Sequence, residues 1–252
     1  MKLWRLAAAW LGGIAIIMSI WHVFDARPAT ASPAAPAATH TVMLLPARDN
    51  TLYESILGTI SNGAGEHLFA GNTQRGEARR ALLAFDLGGI PPGAIVLSAT
   101  LTLTMTKTIA GETPVSLHAA TADWGEGDSD AVGDEGAGAL ALPGDATWLH
   151  GFFDTALWAA PGGDFAAIPS ATTAVGGSGA YAWSSPALAA DVAAWLADPA
   201  SNFGWALLGD ETTTATAKRF DSRESAAAQR PRLVVMYAEP VGVAFVPVVA
   251  GE

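Results

Sequence analysis

From residue 97 to residue 106, apolar and hydroxyl-bearing side chains alternate without a break. Leu97, Ala99, Leu101, Leu103 and Met105 take one face, and Ser98, Thr100, Thr102, Thr104 and Thr106 take the other. A strict period of two predicts a β-strand with one face on a core and one on water. Residues 114–120 repeat the pattern, with Val115, Leu117 and Ala119 inward and Ser116, His118 and Ala120 outward, so His118 is expected to face solvent. Residues 81–87 form a nearly continuous apolar run, which fits a central strand. Pro91-Pro92-Gly93 and Ser61-Asn62-Gly63-Ala64-Gly65 punctuate the chain as turns. The period changes once. After Ser185-Pro186, a good helix start, Leu188, Val192, Trp195 and Leu196 fall on one helical face, and Asp198-Pro199 ends the run. Many short strands, frequent Gly/Pro turns and one short helix predict an all-β, antiparallel β-sandwich of jelly-roll type.

The two ends do not follow this pattern. Lys2 and Arg5 precede an uncharged, mostly apolar stretch over residues 6–24, and Ala29-Thr30-Ala31 offers a small-x-small cleavage pattern. Residues 1–31 therefore read as a signal peptide or, uncleaved, as a membrane anchor helix, and either places the body outside the cytoplasm, secreted or anchored. Residues 32–40 are a Pro/Ala linker, residues 41–238 the sandwich, and residues 239–252 a tail containing the apolar, proline-broken stretch 241–249.

Charge then narrows the function classes. The chain of 252 residues carries a formal charge of −11 and is only 15% charged. Without the charges of the N-terminal segment, 10 basic residues face 23 acidic ones. Such a body is not a general nucleic-acid binder, which needs clustered Lys and Arg, and it would meet a membrane only through its N-terminal segment. Cysteine is absent, which excludes disulfides, thiolate metal sites and cysteine nucleophiles.

Against this sparse background residues 205–237 pack both signs together, with Lys218, Arg219, Asp221, Arg223 and Glu224 between two apolar strands. Two readings stand. One is a structural ion-pair lock of Arg223, Glu224 and Asp221 with Asp49 or Asp86, since arginine suits bidentate carboxylate pairing. The other is a ligand face on which Lys218, Arg219 and Arg223 meet an acidic sugar. Trp195 and Trp205 belong to apolar elements and are expected in the core. Trp124 and Trp158 lie among loop residues and are the candidates for stacking on a pyranose ring. The loop from residue 123 to 138 is rich in glycine and acid. Asp123, Glu126, Asp128 and Asp130 have the composition of a structural Ca²⁺ site, though not the EF-hand register, and the alternative is a solvated acidic loop. No cofactor is otherwise implied. Nothing pairs an acid with a base, and Ser222 has no nucleophile-elbow surroundings.

Taken together, the segments resemble the DNRLRE, or disaggregatase-related, domain family. The resemblance rests on Asp49 with Thr51-Leu52, Asn62-Gly63, Leu68 with Gly71, Arg80-Ala81-Leu82-Leu83-Ala84-Phe85-Asp86-Leu87, Ile90-Pro91-Pro92-Gly93-Ala94 and Ala99-Thr100-Leu101. In the second half it rests on Phe203-Gly204-Trp205, Arg219-Phe220-Asp221-Ser222-Arg223-Glu224 and Arg230-Pro231-Arg232-Leu233. Asp123-Trp124-Gly125-Glu126-Gly127, Gly144-Asp145-Ala146-Thr147-Trp148 and Pro161-Gly162-Gly163-Asp164-Phe165 are similar to a bacterial branch of it. The match spans roughly residues 42–238. It implies an extracytoplasmic β-sandwich of the kind appended to polysaccharide-acting enzymes and surface proteins, with some relatives treated as carbohydrate-binding modules. The expectation is a non-catalytic module that binds polysaccharide at the cell surface or on external polymer. The alternatives are a structural or adhesion module with protein or self partners, and a polysaccharide lyase or hydrolase.

Overall fold

The computed structural model describes residues 38–239. The expected signal or anchor segment, most of the linker and the tail beyond Glu239 lie outside these residues. The strands are β1 (Thr39–Leu44), β2 (Pro46–Tyr53), β3 (Ile60–Ser61), β4 (His67–Asn72), β5 (Ala78–Phe85), β6 (Ile95–Thr108) and β7 (Thr113–Ala119). They continue as β8 (Ala139–Leu140), β9 (His150–Phe152), β10 (Ala156–Leu157), β11 (Ala171–Val175) and β12 (Gly179–Ser184). The single α-helix among the described residues, α1 (Pro186–Ala197), precedes β13 (Trp205–Leu208), β14 (Lys218–Asp221) and β15 (Arg232–Ala238). Thr39 and His40, expected in the linker, already pair with Ala238 and Tyr237, so the strand begins two residues before the predicted boundary.

All named pairings are antiparallel, and the fold is all-β. One layer joins β1, β15 and β6, with β14 and β12 also on β6 and β4 on β14. The other joins β2, β5, β13, β7 and β11. The β4–β5 hairpin carries the sheet from one layer to the other, bonded at Gly71–Arg79 and Asn72–Ala78. Gly71 makes that corner possible: its φ is +110°, and a Cβ there would sit 2.9 Å from the carbonyl oxygen of Thr216.

The main core lies between the layers. It takes the odd-numbered side of β6 (Ala99, Leu101, Leu103, Met105), Val115 and Leu117 of β7, Phe220 and Leu233. Helix α1 seals it with Leu188, Val192 and Trp195, and the rings of Trp195 and Trp205 sit edge to face at 4.5 Å. Ser185 caps the helix, accepting from the Leu188 amide at 2.9 Å.

β5 is apolar on both faces because both are covered. Ala81, Leu83 and Phe85 enter the main core. Leu82 and Ala84 join Leu52, Ala206, Trp124, Ala146, Trp148 and Trp158 in a second cluster, built by the segment between β7 and β11 as it folds over the outside of the layer. This cover corrects the expectation for His118. The residue points away from the main core as its phase requires, yet it is buried, with its ring 5.6 Å from that of Phe165 and Nδ1 2.8 Å from the Ala166 carbonyl oxygen.

Candidate functional site

The two readings of residues 218–224 separate in space. Arg223, at the exit of β14, turns to the junction of β2 with the acidic loop. Its Nη1 donates to Glu126 Oε2 at 2.6 Å, and its backbone amide donates to Asp49 Oδ2 at 2.8 Å. Glu126 Oε1 takes the Asp49 amide at 2.8 Å, and Glu224 Oε1 stands 3.5 Å from Arg223 Nε. Glu126 and Glu224 thus flank the guanidinium, and Asp49 takes the backbone amide of the same residue. Burial, with Glu224 and Glu126 nearby, pushes the Asp49 carboxyl well above the usual carboxylate range, and burial raises Glu224 as well. The hydrogen bond that Arg223 donates to Glu126 raises the guanidinium further.

Two members of the expected lock lie elsewhere. Asp86 is exposed and, among the described residues, accepts only the Gly88 amide, as a local turn does. Asp221 is buried beside His67, with Oδ1 3.4 Å from Nδ1, and burial raises its carboxyl.

The expected ligand residues also redistribute. Lys218 is fully buried: on a strand it shares the inward side with Phe220, two residues on, and its Nζ ends on the Gly111 carbonyl oxygen at 3.0 Å. Burial holds its ammonium below the ordinary lysine value. Trp124 presents no free face. It lies under the Arg48 guanidinium, 4.3 Å from the ring centroid, and its Nε1 donates to the Phe203 carbonyl at 2.8 Å. Trp158 is buried in the same cluster, with Nε1 donating to the Thr147 carbonyl at 2.9 Å. Both rings are spent on covering the outer side of β5 and β13, so neither can stack on a sugar.

The four expected calcium ligands do not converge. Asp123 pairs with Arg48 at 2.7 Å, both Glu126 oxygens are taken by Asp49 and Arg223, and Asp128 and Asp130 are exposed on the loop. Among the described residues, the carboxylate and imidazole groups within mutual ligating reach are Glu66, His67 and Glu135. Glu135 already accepts from the Asn62 side chain and the Glu66 and His67 amides at 2.9–3.2 Å, so its carboxylate serves as a loop clamp.

Arg219 points the other way, into a trough that the sequence did not reveal. Its widest part, about 540 Å³, is lined by Tyr53, Glu54, Ile56, Arg75, Glu77 and Arg79. It continues past Asn72, Gln74 and Gly136 to a hollow of about 220 Å³ formed by Phe69, Ile109, Ala217, Lys107 and Arg219. Four of the ten basic residues of the body line this row of adjoining hollows: Arg75, Arg79, Lys107 and Arg219. Arg79 forms its floor. Its side chain is only 7% exposed, and its guanidinium stacks over Tyr53 at 4.8 Å. Nη1 donates to the Ala78 carbonyl oxygen, and Nη2 pairs with Glu77 at 3.3 Å. Arg79 Nε and Asn72 Oδ1, both buried and both from residues lining the trough, have no hydrogen-bond partner among the described residues. Buried polar groups of this kind are costly unless something meets them.

Of the residues singled out in the sequence, only Arg219 belongs to the trough. Arg79 sat in the sequence beside Arg80, and nothing separated the two. Arg80 stacks on Trp148 and pairs with Glu211 at 2.7 Å on the opposite face of β5. No protein-family model matches the chain, and a search of curated proteins finds no match to it.

Proposed function

We propose that this chain is an extracytoplasmic, non-catalytic module that binds polysaccharide, with a preference for acidic chains. The placement outside the cytoplasm rests on the sequence of residues 1–31. The resemblance to DNRLRE domains favours the same reading. The observation that carries the binding site is the trough: in a body with more than twice as many acids as bases, it collects Arg75, Arg79, Lys107 and Arg219 beside the apolar surface of Phe69 and Ile109. Apolar surface suits the CH faces of sugar rings, and guanidinium groups suit their carboxylates. The open shape of the trough suits a polymer that enters from the side.

The test is affinity electrophoresis or calorimetry with polygalacturonate, and with dextran as the neutral polymer. Binding of polygalacturonate alone, lost in Arg79→Ala and Arg219→Ala, supports the reading. Equal binding of both polymers, or none, counts against it. Release of oligosaccharide products would make the protein a lyase or hydrolase instead.

A second reading, a surface module with protein or self partners, has its own observation. Met43, Leu45, Ile95, Leu97 and Met236 are exposed around the end of the sheet where β1 forms the edge. Such apolar edges support association. Sedimentation of residues 32–252 across concentration tests it, and a monomer throughout would remove self-association.

A further inference from the structure

We propose that Asp134 is a built-in competitor of the trough, a carboxylate of the protein's own that holds the Lys107–Arg219 pair in the free molecule and must be displaced when an acidic polysaccharide binds. This rests on the polysaccharide-binding reading and deepens it.

The geometry is that of an occupied anion site. Asp134 Oδ2 is 2.8 Å from Lys107 Nζ and Oδ1 is 3.1 Å from Arg219 Nη1, one oxygen to each cation. Both cations line the hollow at this end of the trough, and Asp134 lines it with them. The hydrogen bond from Lys107 holds the Asp134 carboxyl below the ordinary carboxylate range, so it is ionised wherever a uronate would be.

The partners are unequally held. The Arg219 side chain is 18% exposed and is further fixed by its Nε, which donates to Thr106 Oγ1 at 3.1 Å. The Asp134 side chain is 71% exposed, and it makes no hydrogen bonds beyond these two cations among the described residues. Exposed ion pairs of this kind are weak. A carboxylate on a polymer with further contacts along the trough can therefore take its place.

The backbone explains why the displacement stays local. Glu135, the next residue, is buried and sits at φ +59°, a left-handed conformation that costs a non-glycine residue. Its carboxylate is clamped by Asn62 and by the Glu66 and His67 amides, and its carbonyl accepts from Tyr53 Oη at 3.0 Å. The clamp pays for the strained turn that projects Asp134 over the trough. Gly133, at φ +72°, lies on its other side. Only the Asp134 side chain has to swing for the cations to be freed.

The experiment compares wild type, Asp134→Asn and Asp134→Glu for polygalacturonate affinity at low salt, with melting temperature as a check on folding. Removing the competing charge removes the fraction of time the cations are occupied, so Asp134→Asn is expected to bind about two- to fivefold tighter. The gain should shrink at high salt, and Asp134→Glu should stay near wild type. Unchanged or weaker binding by Asp134→Asn, in a wild type that binds and loses binding in Arg219→Ala, overturns the competitor and leaves the polysaccharide reading standing. Failure of every form to bind overturns both.

Discussion

Glu126 Oε2 lies 2.6 Å from Arg223 Nη1, across a sequence separation of 97 residues. Through this contact the acidic loop, the start of β2 and the exit of β14 are held as one unit. Each Glu126 oxygen has its own donor, so the pair is a fastening between three segments of the chain. Arg223→Ala leaves Glu126 and Glu224 without their cation. A charge-assisted bond of this type, reduced for the partial exposure of Arg223, predicts a loss of about 1–2 kcal/mol. Urea denaturation checks it, and a shift of the midpoint below a few tenths of a molar unit would mean that the fastening contributes little.

Asp49 gives this junction a pH dependence. Its carboxyl is raised in the folded state, so between its ordinary and its raised value the native protein holds more protons than the unfolded chain. Stability from this group is then fully present below the ordinary carboxylate range and is lost as pH rises through the raised value. Glu224, also raised, acts in the same direction. Mild acidification from neutral pH should therefore raise the urea midpoint. Asp49→Asn, which keeps an acceptor for the Arg223 amide, should be more stable than wild type at neutral pH and show a flatter profile. A wild type that loses stability over that window would contradict the assignment.

The tryptophans expected to bind sugar should behave as core residues. Trp124→Ala opens a cavity beneath Arg48 and strands the Phe203 carbonyl, with an expected cost of about 3–5 kcal/mol. Polysaccharide affinity of the folded fraction should be unchanged, because Trp124 does not line the trough. Loss of affinity at full folding would return the ring to the binding surface.

Lys218 is a buried cation whose Nζ has, among the described residues, a single hydrogen-bond acceptor, the Gly111 carbonyl. Replacing such a group by an apolar side chain of similar length is commonly neutral or stabilising. Lys218→Met is expected to melt at or above the wild-type temperature and to bind polysaccharide as wild type does. A fall of several degrees would mean that the bond to Gly111 holds the Ile109–Gly111 turn at the rim of the trough.

What could be read in the sequence was what each strand settles locally. The alternation over residues 97–106 located the core side of β6, and the nearly continuous apolar run over residues 81–87 marked a central strand. The identity of the cover could not be read. His118, Trp124 and Trp158 were assigned by asking whether a residue points away from the core, and pointing away equals exposure only where nothing lies outside. Here the segment between β7 and β11 closes over that face. Lys218 failed for a simpler reason: a period of two fixes its side, and it shares that side with Phe220. The trough escaped notice because its parts come from residues 53–56, the β4–β5 hairpin, β6, β14 and the loop near Gly136, which lie far apart in the sequence.

The pairing of Thr39 with Ala238 places the two exits of the described chain side by side on neighbouring strands. A load applied between an N-terminal tether and anything attached at the C-terminus would therefore peel β1 from β15 one hydrogen bond after another, as a zipper opens, and would not shear all of them together. The fold yields easily in that direction.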